Sequence, residues 1–316
     1  LRMLMDEVFG EGNFIADIIW QKKYTQSNDA KYFSATHDFI LSYTKNINNF
    51  TMGSLVRTEE QNARYSNPDK DPRGDWMSQP LHAKSGNDKT YEFVFANGVI
   101  WKPPVGTFPR YSIETLKKAD DNEEIWFGSN GTAVPRLKKY LLKMREGVIP
   151  KTLWLYDEVG SNDDARRTLK EIFDDNPFDS PKPVTLIQRI IQLTCGKDDI
   201  ILDSFAGSGT TAHAVLDLNK EDGGNRKFIL IECEDYADNI TAERVRRVIK
   251  GVPSAKEDIL KQGLGGTFSY FELGDPIEME NILEGSKLPS YKEMARYVFY
   301  TATGEEFDES KINEKT

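Results

Sequence analysis

At 316 residues, 38% hydrophobic and 29% charged, the chain can bury one large core or two modest ones, and no apolar run reaches the roughly 18 residues of a membrane span. A net charge of −10 excludes a general nucleic-acid coat but leaves room for one local basic face. Two cysteines, Cys195 and Cys233, and three histidines, at 37, 82 and 213, are too few and too scattered for a disulfide framework or a metal cluster. A reducing, cytoplasmic setting is expected, with both cysteines as buried small hydrophobes.

Leu1, Leu4, Met5 and Val8 recur at helical spacing and Gly10 follows, which predicts an amphipathic helix with a glycine stop. The first residues lack a signal-peptide core and a starting Met, so the chain is expected to begin inside a longer gene product. FIADIIW (14–20) and HDFILSYTK (37–45) read as strands separated by a polar, basic stretch.

The character changes from about 46 to 150. RYSNPDKDPRGDWMSQP (64–80) reads as a loop, and YEFVFANGVIWKPP (91–104) as a hairpin turning at Asn97-Gly98. VPRLKKYLLKMREG (134–147) predicts a basic amphipathic helix between Pro and Gly.

Helices follow at 163–173 and 183–195, the second with Pro in its first turn. A buried strand at 199–205, a helix at 209–220, a strand at 226–233 and a helix at 236–251 complete a βαβα run, which calls for a parallel sheet. The fold class expected is α/β. The stretch beyond 262 is less readable.

The run IILDSFAGSGTTAHAVLDL (200–218) carries the chemistry. A strand ends at Asp203, glycines at 207 and 209 permit a tight turn, and a helix begins with free amides. Thr210 and Thr211 can cap that helix or bond a carboxylate. The next strand reaches Glu232, where a carboxylate can take both hydroxyls of a ribose.

A nucleoside-containing cofactor is therefore expected. A nucleoside triphosphate fits poorly, because no Lys follows Gly209. NAD or FAD matches Gly207-x-Gly209-x-x-Ala212 loosely but needs more strands downstream. S-adenosylmethionine fits best, and a tight turn with no ligand stays open. The missing strands can come from 14–20 and 37–45, a permuted order with a long insert between the halves.

At these residues the chain resembles the β-group amino DNA methyltransferases. DSFAGSGTT (203–211) is similar to their S-adenosylmethionine motif, and NPFDSPKPVTLIQRII (176–191) to the segment before it. The resemblance puts Lys182 and Pro183 against the methionine end of the cofactor. It implies cofactor contacts from Asp203, Phe205, Gly207, Ser208, Gly209, Thr210, Thr211 and Glu232. NGVIWKPPVGTFPRYS, EIWFGSNGTAVPRLKKYL and KTLWLYDEVGSNDDARRTLKEIF resemble the modification subunits of Type III restriction-modification systems.

The resemblance implies a permuted Rossmann-like sheet with an inserted irregular target-recognition module. Its divisions are an incomplete catalytic half (1–48), the insert (49–160), the cofactor half (161–252) and a C-terminal extension (253–316). It further implies methyl transfer to adenine N6 of a flipped base, and as partners double-stranded DNA, a second copy of the chain and a restriction subunit.

The family's catalytic Asp/Asn-Pro-Pro-Tyr does not occur in the sequence; NPFD (176–179) and KPPV (102–105) both fall short of it. An N-terminal part carrying that motif is expected to precede Leu1, and this polypeptide alone is expected not to methylate. Two other functions stay open, a DNA-recognition or assembly module without chemistry and an enzyme of another nucleotide cofactor such as NADH.

Basic residues beside aromatics suit phosphate contact with base stacking. They are Lys22, Lys23 and Tyr24; Arg64, Tyr65, Arg73 and Trp76; and Lys138, Lys139, Lys143 and Arg145. The competing reading is a solvated basic face. Arg244, Arg246 and Arg247 are expected to balance nearby acids.

Overall fold

The computed structural model describes residues 1–86, 90–144, 147–274, 284–285, 288–304 and 307. Two compact units result, Leu1–Gly266 and Thr267–Thr316.

In the first unit, helix α1 (Arg2–Phe9) ends at Gly10 as its periodicity predicts. Its apolar stripe, however, points largely outward: Leu1, Leu4 and Val8 are exposed and Met5 is half-buried. The docked face is polar, with the Arg2 guanidinium 3.5 Å from the Phe14 ring centroid and Asp6 accepting from Tyr43 Oη at 2.5 Å. Strands β1 (Phe14–Gln21) and β2 (His37–Tyr43) pair antiparallel, with Ile18 opposite Ile40.

The segment expected as an insert, called the insert below, contains the short helix α2 (Glu59–Asn62), then β3 (Trp76–Pro80), β4 (His82–Ala83), β5 (Phe93–Val94), β6 (Ile100–Trp101), β7 (Phe108–Pro109), α3 (Ile113–Asp121), β8 (Ile125–Trp126) and β9 (Arg136–Tyr140). The β5–β6 hairpin forms as expected, with Gly98 at φ +84°. The basic helix expected over 134–147 does not. Residues 136–140 are instead the central strand of the sheet β3–β9–β8, with Met77 opposite Lys139; cross-strand pairing overrides helical propensity there. Residues 145–146 of that stretch lie outside the described residues. The insert has its own core around Leu81, Phe95, Trp101, Leu116, Ile125 and Leu137.

After the insert, β10 (Leu153–Trp154) adds parallel to β1, giving the sheet β10–β1–β2. Helices α4 (Tyr156–Val159), α5 (Asn162–Phe173) and α6 (Val184–Thr194) follow. Strand β11 (Ile200–Asp203), helix α7 (Thr210–Asp222) and strand β12 (Lys227–Leu230) make a βαβ unit whose strands pair parallel. A π-helical turn (Ala237–Ala242) leads into α8 (Glu243–Lys250), and α9 (Asp258–Gln262) closes the unit.

Among the described residues, the two sheets with parallel pairs are not hydrogen-bonded into one; α6 joins them by side-chain packing. Its Leu186, Ile190 and Leu193 pack with Trp20, Ile18, Ile40 and Trp154 of the first sheet. Its Val184, Ile187 and Ile191 pack with Ile201 and Phe228 of the second, together with Ala214, Val215 and Leu218 of α7. The apolar run of β11 predicts a buried strand, but only one face is covered: Ile200, Leu202, Ile229 and Ile231 are exposed on the other. The cysteine expectation also fails, since Cys233 is exposed and Cys195 half-buried.

In the second unit, helix Tyr291–Thr303 starts with a capping box between Ser290 and Glu293.

Candidate cofactor turn

The β11–α7 turn is tied to both strands by short-range bonds. Beyond the ladder, Ile231 N donates to Asp203 O at 2.9 Å and Ala206 N to Ile231 O at 3.0 Å. The Asp203 carboxylate organises the turn itself, accepting from Phe205 N at 3.1 Å and from Thr211 Oγ1 at 2.6 Å. Gly209 N closes the turn on Ala206 O.

Both glycines are in the left-handed region, with φ +52° at Gly207 and +75° at Gly209. A Cβ on Gly209 would lie 2.8 Å from Thr241 O, and one on Gly207 3.3 Å from the Phe178 ring. Only glycine meets the conformation and the clearance together.

Glu232, just past β12, is drawn onto the turn. Its Oε2 accepts from Gly207 N at 2.8 Å, and Oε1 accepts from Cys233 N and Glu234 N. Burial and the Glu232 carboxylate push the Tyr236 hydroxyl up. The Tyr236 ring meets Phe178 edge-on at 5.4 Å.

Behind the turn, Thr210 Oγ1 donates to Lys182 O at 3.2 Å, and Pro183 precedes α6 as its N-cap residue. Lys182 Nζ lies 5.6 Å from the Trp20 ring centroid. Thr241 Oγ1 donates to Gly207 O at 2.5 Å. Arg244 Nη1 reaches Ser208 O, Ser208 Oγ and Thr210 Oγ1 at 3.3, 3.0 and 2.8 Å, and Nη2 reaches His213 Nδ1 at 3.2 Å. Burial, and next to it the Arg244 charge, hold His213 far below its ordinary range, so the ring is neutral. Burial also lowers Arg244 to about 9.

All ten sequence-derived cofactor residues thus belong to one constellation, in two layers. Asp203 and Glu232 are half-buried and Phe205 is 88% exposed, so these reach the surface. Ser208, Thr210 and Thr211 are buried, and their hydroxyls are engaged within the turn. Sequence reasoning missed Phe178 and Thr241 at the turn and gave Arg244 another role. Arg244 does not balance acids as expected; Arg246 and Arg247 do, through Asp238 and Glu243. The missed signal was periodicity, because Arg244 stands four residues before buried Val248.

The structure divides the basic candidates. Three that the sequence suggests for DNA are spent inside the insert. Lys138 is 8% exposed and pairs with Asp69 and, at 2.8 Å, with Asp71. Arg73 binds Asp71 through Nε and Nη2 and also donates to the Asn122 and Glu123 carbonyls. Trp76 is buried and donates to Asp69 at 2.9 Å. Tyr65 is buried as well. Lys22 pairs with Asp38 at 2.5 Å and Arg64 with Glu60 at 3.7 Å. Lys23 and Tyr24 are exposed, and half-buried Lys139 has its ammonium 5.7 Å from the Tyr111 ring centroid.

A family model described as DNA methylase matches residues 1–243, taking in both sheets, the insert and the turn. The chain belongs to the DNA methylase family. Among curated relatives of the chain, the Type III restriction-modification enzyme StyLTI Mod subunit of Salmonella typhimurium is 34% identical over 88% of the chain and 44% of its own length. The type II methyltransferase M.KpnI of Klebsiella pneumoniae is 30% identical over 73% and 58%. The Type III restriction-modification enzyme EcoPI Mod subunit of Escherichia phage P1 is 27% identical over 83% and 47%. The chain spans about half the length of the curated relatives it matches. Among the described residues, no helix is long and apolar enough to cross a membrane.

Proposed function

We propose that this chain is the cofactor-binding and target-recognition part of an adenine-N6 DNA methyltransferase of a restriction-modification system. One observation carries the reading. Glu232, 25 residues past Gly207, is bonded to that glycine's amide at 2.8 Å, so an acid and a glycine turn from separate strands share one edge. A nucleoside with a polar tail needs that pairing.

When bound, S-adenosylmethionine supplies an electrophilic methyl group. Glu232 accepts the ribose hydroxyls with the lone pairs its amide contacts leave over. Asp203 orients the turn through Phe205 N and Thr211, and Gly207 and Gly209 let the backbone approach the ligand. Lys182 and Pro183 hold the methionine end. These residues bind and orient; none of them activates an adenine amine, and the sequence holds no Asp-Pro-Pro-Tyr for that task. The polypeptide by itself therefore binds cofactor and DNA without transferring methyl.

Double-stranded DNA is the substrate in this reading, met through Lys23, Tyr24 and Lys139, with a restriction subunit and a second copy as assembly partners in a cytoplasmic complex. The test is tritiated methyl transfer to mixed-sequence DNA, beside DNA binding by the same preparation. Binding without transfer is expected. Appreciable turnover would overturn the division of labour, and absence of DNA binding would overturn the recognition role.

A further inference from the structure

The side chain of Arg244 is 1% exposed, yet among the described residues no carboxylate lies within ion-pair distance of it. Its partners are neutral: a carbonyl, two hydroxyls and an imidazole nitrogen. Among the described residues its Nε has no hydrogen-bond partner. The two acids of the turn are engaged elsewhere, Asp203 by Phe205 N and Thr211, Glu232 by the amides of Gly207, Cys233 and Glu234.

A buried cation without a counter-charge is costly, and an apolar side chain would suit the stripe formed by Val245 and Val248. The site keeps arginine all the same, directly beneath Ser208 and Thr210. That is also where α7 begins, with its amides lacking intrahelical partners. The guanidinium and the helix terminus both favour negative charge at the same spot.

We propose that Arg244 is a positioning residue with two effects on the turn. It fixes the Ser208 carbonyl and the Ser208 and Thr210 hydroxyls, and its charge selects a ligand whose polar end carries a carboxylate. The inference rests on the turn being the S-adenosylmethionine site, and it makes the amino-acid end of the ligand, beyond the nucleoside, a determinant of affinity. The carboxylate supplies the counter-charge that the protein withholds.

The test compares two ligands of the same nucleoside on the full chain. S-adenosylhomocysteine has the amino-acid carboxylate; 5′-methylthioadenosine lacks it. Arg244→Met is expected to weaken S-adenosylhomocysteine about tenfold or more, as loss of a desolvated attraction does, and to leave methylthioadenosine within about twofold. Arg244→Lys keeps the charge and is expected to recover much of the loss. Equal weakening of both ligands in Arg244→Met, or failure of both variants to fold by circular dichroism, would make the arginine merely structural and overturn the proposal. Wild-type protein that binds neither ligand would refute the cofactor reading and this inference together, whereas wild-type binding with equal losses refutes this inference alone.

Discussion

Asp203 holds Thr211, eight residues on, at 2.6 Å; Asp71 holds Lys138 and Tyr140, 67 and 69 residues on, at 2.8 and 2.7 Å. Each carboxylate anchors a polar cluster inside its region. Around the β11–α7 turn the bonds run to Lys182, Glu232, Thr241 and Arg244 and leave a rim that faces outward, where Asp203, Phe205 and Glu232 stand. In the insert the cluster closes on itself: Asp71 takes up Arg73, Lys138 and Tyr140, and Asp69 takes up Trp76. A site left with unused acceptor capacity suits a ligand, whereas a closed network suits a scaffold.

The sharpest way to break this contrast is Asp71→Asn. It takes the charge from the Arg73 fork and leaves the buried Lys138 with Asp69 alone, and a loss of about 3–5 kcal/mol in urea unfolding is expected. Cofactor affinity of the folded fraction should stay put, because the turn shares no hydrogen bond with that cluster. A loss under about 1 kcal/mol would mean the network is not what holds the insert.

Gly209→Ala is expected to act on the other region, costing about 1–2 kcal/mol for a left-handed non-glycine residue beside the Thr241 carbonyl. Binding of S-adenosylhomocysteine, read by fluorescence displacement, should weaken with it. Unchanged binding would place the ligand elsewhere.

Acid sensitivity separates the regions next. His213 is held neutral by burial, while in the unfolded chain it takes a proton as pH falls through its ordinary 6.5. Stability from this group is therefore full above 6.5 and falls below it, by about 1.4 kcal/mol per pH unit until the folded group titrates. His213→Gln should flatten that slope in melts between pH 5 and 7. Asp71, held far below the usual carboxylate range by the Arg73 fork, contributes above the unfolded carboxylate value and loses its share only in stronger acid.

The smallest effects concern DNA. Lys23→Ala and Lys139→Ala should each lower the salt slope of DNA binding by about 0.9, the value of one phosphate contact. Lys138→Met should leave that slope alone and lower stability instead. The reverse pattern would restore the sequence-level reading of Lys138.

Lys138 shows what a sequence discloses and what it hides. The strand, glycines and helix of residues 200–220 are legible because Asp203 bonds Phe205 N and Thr211 within eight residues and both glycines take a left-handed conformation signalled by the residue type itself. Glu232 is legible from the spacing of a βαβ unit. LKKYLLK over 137–143 carries helical periodicity, but Leu137–Tyr140 opposes Gln79–Trp76 across sixty residues of chain, and no local pattern encodes that partner. The apolar run of β11 implies burial on both faces, while the structure covers Ile201 and leaves Ile200 and Leu202 open. Arg244 is given the wrong role because RVRRVIK looks like a charged surface helix unless its register with Val248 is weighed.

The central claim is that the turn after β11 grips a nucleoside methyl donor with Glu232. Equilibrium dialysis of the full chain against tritiated S-adenosylmethionine tests it most directly. Saturable binding near one molecule per chain is predicted, with Glu232→Ala abolishing most of it and Asp71→Asn sparing it in folded protein. No retained label in the wild type, or equal retention in Glu232→Ala, would contradict it.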